Sequence, residues 1–418
     1  MVFGKGKNYK WEVLGLLWMA FLLNQADRQV FNVLLPLIKS DLGLSDVQVG
    51  TIATVFNLVY AFLVPFAGYA GDVFSRKWIV TISIVFWSIA TMFTGLTSTV
   101  FMLIIMRSIA TGGGEAFFGP ANYTLLAAYH TKTRALAMSI HQTSYYVGII
   151  LCGYVAGYLG EHYGWRSAFY LFGGLGVVHG LVMAFRLKDK KPVPKPGEVK
   201  EKIKFLEGLR VLFRTPTALI LTIGFSGLIF VLVGYLTWTP TYLYERFSMS
   251  LTNAGFHSMF YTHLFAFIGI LVAGRLSDAV SRKNPANRLL LQALGLLVAA
   301  PFILMMGVSS SLPLIYIGFA GFGFGRAFFD ANTYAVLYDV IPEKYQSSAS
   351  GVMMMTGFGV GSLSSILLGY LKPIIGLSMG ISSLAIIWVA CGILFLVGYK
   401  YYYMKDYNRI HNTEVTPD

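Results

Sequence analysis

The chain has 418 residues, 56% of them hydrophobic and only 12% charged, with a mean hydropathy of +0.64. That composition excludes a soluble globule and points to a membrane protein. The net charge of +13 invites a nucleic-acid reading, which the concentration of the cations in alternate loops argues against.

A membrane-crossing helix needs about 20 mostly apolar residues. Twelve such stretches are predicted, beginning near Trp11, Val47, Trp78, Phe101, Arg134, Ser167, Pro216, Leu251, Arg288, Ser311, Ser347 and Ser378. The expected fold class is therefore all-α and integral to the membrane. Met1 to Lys10 is short and basic and does not read as a cleavable leader. Lys5, Lys7 and Lys10 precede the first span, Arg76 and Lys77 follow the second, and Lys132 and Arg134 join the fourth to the fifth. Seven lysines lie between Lys188 and Lys204, and Arg282, Lys283 and Arg288 separate the eighth and ninth spans. The other loops hold few cations, chiefly Lys39, Arg166, Arg246 and Lys372. This is the positive-inside pattern of a multi-pass protein of the plasma membrane with both termini cytoplasmic.

The first span carries Asn24, Asp27 and Arg28 in its interior. Ionisable groups at membrane depth cost at least ~2.5–3.5 kcal/mol each and mark function or pairing. Adjacent residues point about 100° apart on a helix, so Asp27 and Arg28 need partners elsewhere. Pro36 and the stretch Lys39 to Asp46 are expected to close this helix, with Ser45 or Asp46 capping the next.

The fourth span reads Arg107-Ser-Ile-Ala-Thr111-Gly-Gly-Gly-Glu115-Ala-Phe-Phe118-Gly-Pro-Ala-Asn122-Tyr. Arg107, Thr111 and Glu115 are spaced i, i+4, i+8, with Phe118 and Asn122 continuing the stripe. Gly112 to Gly114 permit close helix approach beside the acid. The phrase Gly112 to Phe118 recurs as Gly323-Phe-Gly-Arg326-Ala-Phe-Phe329, 211 residues later, with arginine in place of glutamate. A second echo joins Gly68-Tyr-Ala-Gly-Asp72-Val-Phe-Ser-Arg76-Lys77 to Gly274-Arg-Leu-Ser-Asp278-Ala-Val-Ser-Arg282-Lys283, 206 residues on. An internal repeat of half the chain predicts two six-helix bundles, residues 1–187 and 216–404, joined by a linker at 188–215 and followed by a tail at 405–418.

These residues carry a family resemblance. The two loops resemble the signature cytoplasmic loop of the major facilitator superfamily, G-x-L-x-D-r-x-G-r-K, departing at Val73, Ala279, Ser75 and Ser281. The resemblance implies twelve helices in two pseudo-symmetric halves, with Asp72, Arg76, Asp278 and Arg282 as gating contacts. An ordinary basic turn that fixes topology is the plainer reading of the same residues. Arg107 with Glu115-Ala-Phe-Phe-Gly-Pro120-Ala-Asn122 resembles the R-x7-E-A-x3-P-x-N pattern of the anion:cation symporters, a group that includes sugar-acid and sialic-acid carriers. The Asp27-Arg28 pair and the G-x-G-E-A motif are also similar to Spinster-like lipid carriers.

In the fifth span Ser139, His141, Gln142, Thr143, Tyr145 and Tyr146 cannot all face lipid. Gln142 and Tyr146 share a face suited to a cavity wall, whereas His141 reads as structural. In the seventh span Tyr235, Trp238 and Tyr242 recur at i, i+3, i+7 near Pro240 and suit either a sugar-sized pocket or an interfacial belt. In the tenth, Arg326 and Asp330 are four apart and suit either a local ion pair or a cavity. Cys152 and Cys391 read as small core residues without metal or disulfide.

No Walker loop or paired catalytic motif is present, so the expectation is a carrier rather than an enzyme, driven by an ion gradient. Asp27, Arg28, Arg107, Glu115, Arg326 and Asp330 make a neutral inventory of three acids and three bases. The expected mechanism is symport of a small organic anion with a proton: Arg28 and Arg326 grip a carboxylate, helped by Gln142, Tyr146, Asn122, Tyr235, Trp238 and Tyr242. Asp27 and Glu115 take the proton, while Arg107 and Asp330 hold structure or coupling. Sodium at Asp27 and Asn24 is the alternative coupling ion, and a lysolipid or other amphiphile the alternative substrate. No other cofactor, no metal and no nucleic acid is expected, and the partners are membrane lipids around a monomer.

Overall fold

The computed structural model describes residues 9–131, 133–189 and 205–411. The lysine-rich stretch of the expected linker lies largely outside them. The spanning helices are α1 (Tyr9–Leu42), α2 (Asp46–Val73), α3 (Arg76–Thr94), α4 (Val100–Tyr129), α5 (Arg134–Tyr163) and α6 (Trp165–Arg186). They continue as α7 (Pro216–Phe247), α8 (Leu251–Ser281), α9 (Asn287–Val308), α10 (Leu312–Val340) and α11 (Gln346–Tyr401). Two short surface helices, Phe205–Arg214 and Tyr403–His411, flank the second set. Nine helices among the described residues are long and apolar enough to cross a membrane. Gly376, with φ +74°, breaks α11 into two spans, and α1 and α5, of 34 and 30 residues, are equally long but carry the polar groups noted above. The arrangement is compatible with twelve crossings.

Local chemistry explains where the helices stop and start. Pro36 lies inside α1, which runs on to Leu42 and ends at Gly43 with φ +61°. Proline removes one hydrogen bond without closing the helix, and the left-handed glycine closes it. Ser45 then caps α2 in a reciprocal box: its hydroxyl accepts from the Gln48 amide, and the Gln48 side chain accepts from the Ser45 amide. Gly164, with φ +79°, separates α5 from α6, so Trp165 and Arg166 open a helix where a loop was expected.

The chain forms two compact units. The first comprises Met1–Val199 with Thr239–Met259, and the second Lys200–Trp238 with Phe260–Asp418. Lipid tails are as apolar as leucine, so helices associate through close fit rather than hydrophobic burial. In the first unit a Cβ at Gly148 of α5 would stand 2.5 Å from the Leu22 carbonyl of α1, and one at Gly114 of α4 would meet Phe86 and Trp87 of α3 at 2.8–3.0 Å. Phe21, Trp87, Phe118 and Leu125 fill the space between these helices. In the second unit Phe322, Phe329, Trp388 and Phe395 are fully buried or nearly so, with Phe329 and Phe395 stacked. Large apolar side chains such as Phe62, Ile82, Phe185 and Ile386 are exposed, as lipid-facing residues should be.

Candidate functional site

The polar centre of the first unit is built by α1, α2, α3 and α4. Arg28 Nε donates to Glu115 Oε2 at 2.6 Å, and the Glu115 side chain is wholly inaccessible while Arg28 is 16% exposed. The Arg28 guanidinium lies over the Tyr60 ring, 4.2 Å from its centroid. Arg107 donates through Nη2 to the Arg28 carbonyl at 2.9 Å and lies over Phe56 at 4.3 Å. Asp27, next to the Arg28 carbonyl that Arg107 holds, accepts at Oδ2 from the Thr91 hydroxyl at 2.8 Å. Two acids and two arginines thus share one buried, formally neutral cluster. Each arginine meets an aromatic ring on its flat face and an oxygen at its edge, an arrangement lysine cannot copy, while Arg107 Nη1 is buried with no hydrogen-bond partner.

Residues Ile104–Thr111 of α4 are π-helical. The Thr111 hydroxyl donates back to the Met106 carbonyl, five residues upstream, and Ser108 donates to the Ile52 carbonyl of α2 at 2.7 Å. Across the wider turn Arg107 and Glu115 still both meet Arg28 of α1, and only Thr111 departs from the expected stripe. Thr111 is spent on its own helix, while Arg107 is turned toward the α1 backbone. Downstream the helix is regular, and Glu115, Phe118 and Asn122 do share a face toward α1 and α5. π turns interrupt α-helices mostly at functional positions.

Asn122 Nδ2 lies 3.0 Å from His141 Nε2, and Phe21 stacks on the imidazole at a centroid distance of 4.9 Å. Asn122 and His141 are fully buried, which gives His141 the structural setting expected of it. Gln142 is half-buried and Tyr146 is 7% exposed, its ring edge-on to Tyr145.

The remaining predicted site residues belong to other clusters. In the second unit Arg326 Nε lies 3.0 Å from Asp330 Oδ2, the local i, i+4 pair. Tyr235 shares a hydrogen bond with Thr262, and the Trp238 indole donates to the Ser365 carbonyl. Tyr242 belongs to the first unit, where its hydroxyl accepts from Arg246. All three aromatics are at most 1% exposed. Arg76 is buried and donates to the Gly71 carbonyl. Asp278 and Arg282 are exposed, and the Asp72 side chain lies outside the described set. Among the described residues no group of acids, histidines and cysteines is arranged to hold a metal.

Three contributors escaped the sequence reading. Phe56 and Tyr60 under the arginines carry only a weak signal, an aromatic pair four apart in a helix that also holds Phe62 and Phe66. Thr91, which holds Asp27, has none, because threonine is ordinary in a spanning helix.

The family model described as Major Facilitator Superfamily matches residues 17–366. Protein spinster homolog 1 of Xenopus tropicalis is 28% identical over 84% of this chain and 70% of its own length. The hexuronate transporter of Bacillus subtilis is 26% identical over 90% and 91% of the two chains. A solved structure titled as a bacterial homolog of the human lysosomal transporter Spinster, inward-facing and unoccupied, aligns with a TM-score of 0.80 at 21% identity. That alignment covers 99% of this chain and all of the other.

Proposed function

This chain belongs to the Major Facilitator Superfamily of membrane transporters, and on that premise we propose that it is a proton-coupled symporter of a small organic anion. The substrate class we propose is a sugar acid, a hexonate, hexuronate or sialic acid, carried by alternating access. The similarity to a hexuronate transporter supports the class. The observation that carries the reading is the Arg28–Glu115 pair, 2.6 Å apart and closed to solvent on the glutamate side.

Burial disfavours a carboxylate, and a paired arginine restores it. When a substrate carboxylate takes the partly exposed Arg28, Glu115 loses its counter-charge and must gain a proton or a new cation. Anion binding and protonation then promote each other, as a symporter requires. Asp27, held by Thr91 near Arg107, is the second acid in the exchange, with sodium at Asp27 and Asn24 the competing coupling scheme. Arg326, Asn122, Gln142, Tyr146, Tyr235, Trp238 and Tyr242 complete the proposed substrate contacts. Arg107 and Asp330 support them, and Asp72, Arg76, Asp278 and Arg282 serve as gates. The proposed setting is the plasma membrane, with a monomer whose halves, 1–187 and 216–404, are joined at 188–215 and whose tail at 405–418 and N-terminus are cytoplasmic.

The test is uptake into proteoliposomes, acid outside, across a panel of hexonates, hexuronates, sialic acid and a lysophospholipid. Accumulation of one sugar acid that collapses with a protonophore is the expected result. Glu115→Gln should abolish gradient-driven accumulation while leaving exchange of internal for external substrate. Full proton-driven uptake by that variant would remove Glu115 from the mechanism. The second reading, an amphiphile carrier, is favoured by the similarity to a spinster homolog; lysolipid movement with silence on every sugar acid would establish it.

A further inference from the structure

The second unit carries a basic surface that the transport mechanism does not use. The helix Phe205–Arg214 lies against α11, where a Cβ on Gly208 would overlap the Ser348 side chain. Leu212 is fully buried, whereas Arg210, Phe213 and Arg214 are exposed. An exposed phenylalanine beside two exposed arginines is the pattern of a helix lying in a membrane interface.

The helix Tyr403–His411 meets it. Arg409 Nη2 donates to the Thr215 hydroxyl at 3.0 Å, directly after Arg214, and Asp406 accepts from the Thr217 amide at the start of α7. Asp406, nearly buried, is shared between that backbone donor and Arg409, 3.6 Å from its other oxygen, while Lys405 and Arg409 stay exposed on the same helix. Immediately upstream, exposed Tyr401 and Tyr402 follow exposed Lys400. Interfacial tyrosines mark headgroup depth, so Lys405 and Arg409 follow at about that level, and Arg409 reaches the residue next to Arg214. The one exposed acid on the Phe205–Arg214 helix is Glu207, and it leaves a clear cationic excess.

We infer that these two helices form a docking platform for the phosphate headgroup of an anionic phospholipid, with Phe213 inserted among its acyl chains and Arg210, Arg214, Lys405 and Arg409 around its phosphate. The lipid is a resident partner, distinct from any transported molecule. It holds the Phe205–Arg214 helix flat at the membrane and fixes the start of α7.

The experiment is native mass spectrometry of the full-length protein titrated with phosphatidylglycerol or phosphatidylcholine. The wild type should retain phosphatidylglycerol in preference, and excess inorganic phosphate should not displace it. A cation beside an anionic headgroup contributes about 1 kcal/mol, roughly fivefold in affinity, so R210Q/R214Q should retain phosphatidylglycerol about 25-fold less well. R409Q should add to that loss. Both arginines of the double variant are exposed, and an unchanged thermal midpoint without added lipid will verify its fold. Equal retention of the two lipids by the wild type, wild-type retention by R210Q/R214Q, or displacement by phosphate would each overturn the proposal.

Discussion

Asp41, at the end of α1, accepts from the Trp165 indole at 3.0 Å and from Arg166 at 2.7 Å. These hydrogen bonds, the indole first, hold its carboxyl below the ordinary value of 3.8. A depressed folded-state value means stability present at neutral pH and lost as pH falls through that depressed value. The difference in thermal midpoint between wild type and Asp41→Asn should thus stay constant from neutral pH down to the ordinary Asp range and vanish only below it. A difference already lost by pH ~6, well above the unperturbed Asp range, would show that the carboxylate is not what holds Trp165. Arg28 offers a sharper test of planar geometry. Arg28→Lys keeps the charge but loses the flat contact with Tyr60, and uptake should fall about tenfold. Unchanged uptake would mean that charge alone suffices.

Helix contacts in this protein are set by backbone approach as much as by side chains. At Gly148 the obstacle to a Cβ is the Leu22 carbonyl, a backbone atom that cannot rotate away. Gly148→Ala should therefore separate α1 from α5 and cost about 1–3 kcal/mol, read as a lowered thermal midpoint in detergent. The glycines of α4 were legible in the sequence as an invitation to close packing, and Gly112 and Gly114 do abut α2 and α3. The ion pair between Arg28 and Glu115 was legible only as two charges needing partners, because pairing across helices depends on rotation that periodicity leaves open. The π turn was not legible at all. Ile-Ile-Met-Arg-Ser-Ile-Ala-Thr has ordinary helix-forming residues, and its widening is set by tertiary bonds such as Ser108 to Ile52.

For the whole molecule, the proposed coupling of one anion to one proton sets the electrical outcome of a cycle. Under the proposed symport one monoanion accompanied by one proton moves no net charge, so hexonate uptake should be insensitive to a clamped membrane potential. A dicarboxylate carried with one proton should respond to it. Potential-dependent uptake of the monoanion would require a second coupling ion. Overall architecture was the most legible level, since spans, loop charge and the half-chain echo are all long-range patterns that survive local irregularity. The partition of buried aromatics was less so: Tyr235 and Tyr242 share a helix yet belong to different compact units, and a helical wheel carries no trace of that division.

The π turn also bears on any attempt to interchange the two halves. α10 is α-helical from Leu312 to Val340, so Glu115 and Arg326 correspond only downstream of Ile104–Thr111. Upstream the same offset sets Arg107 against Gly318, a position packed against Phe302 and Met306. A chimera that grafts α10 into the place of α4 would therefore arrive one residue out of phase, turning its upstream face by about 100°. Sequence swaps designed on the repeat alone will misplace the residues upstream of the Glu115 position unless one residue is inserted with them.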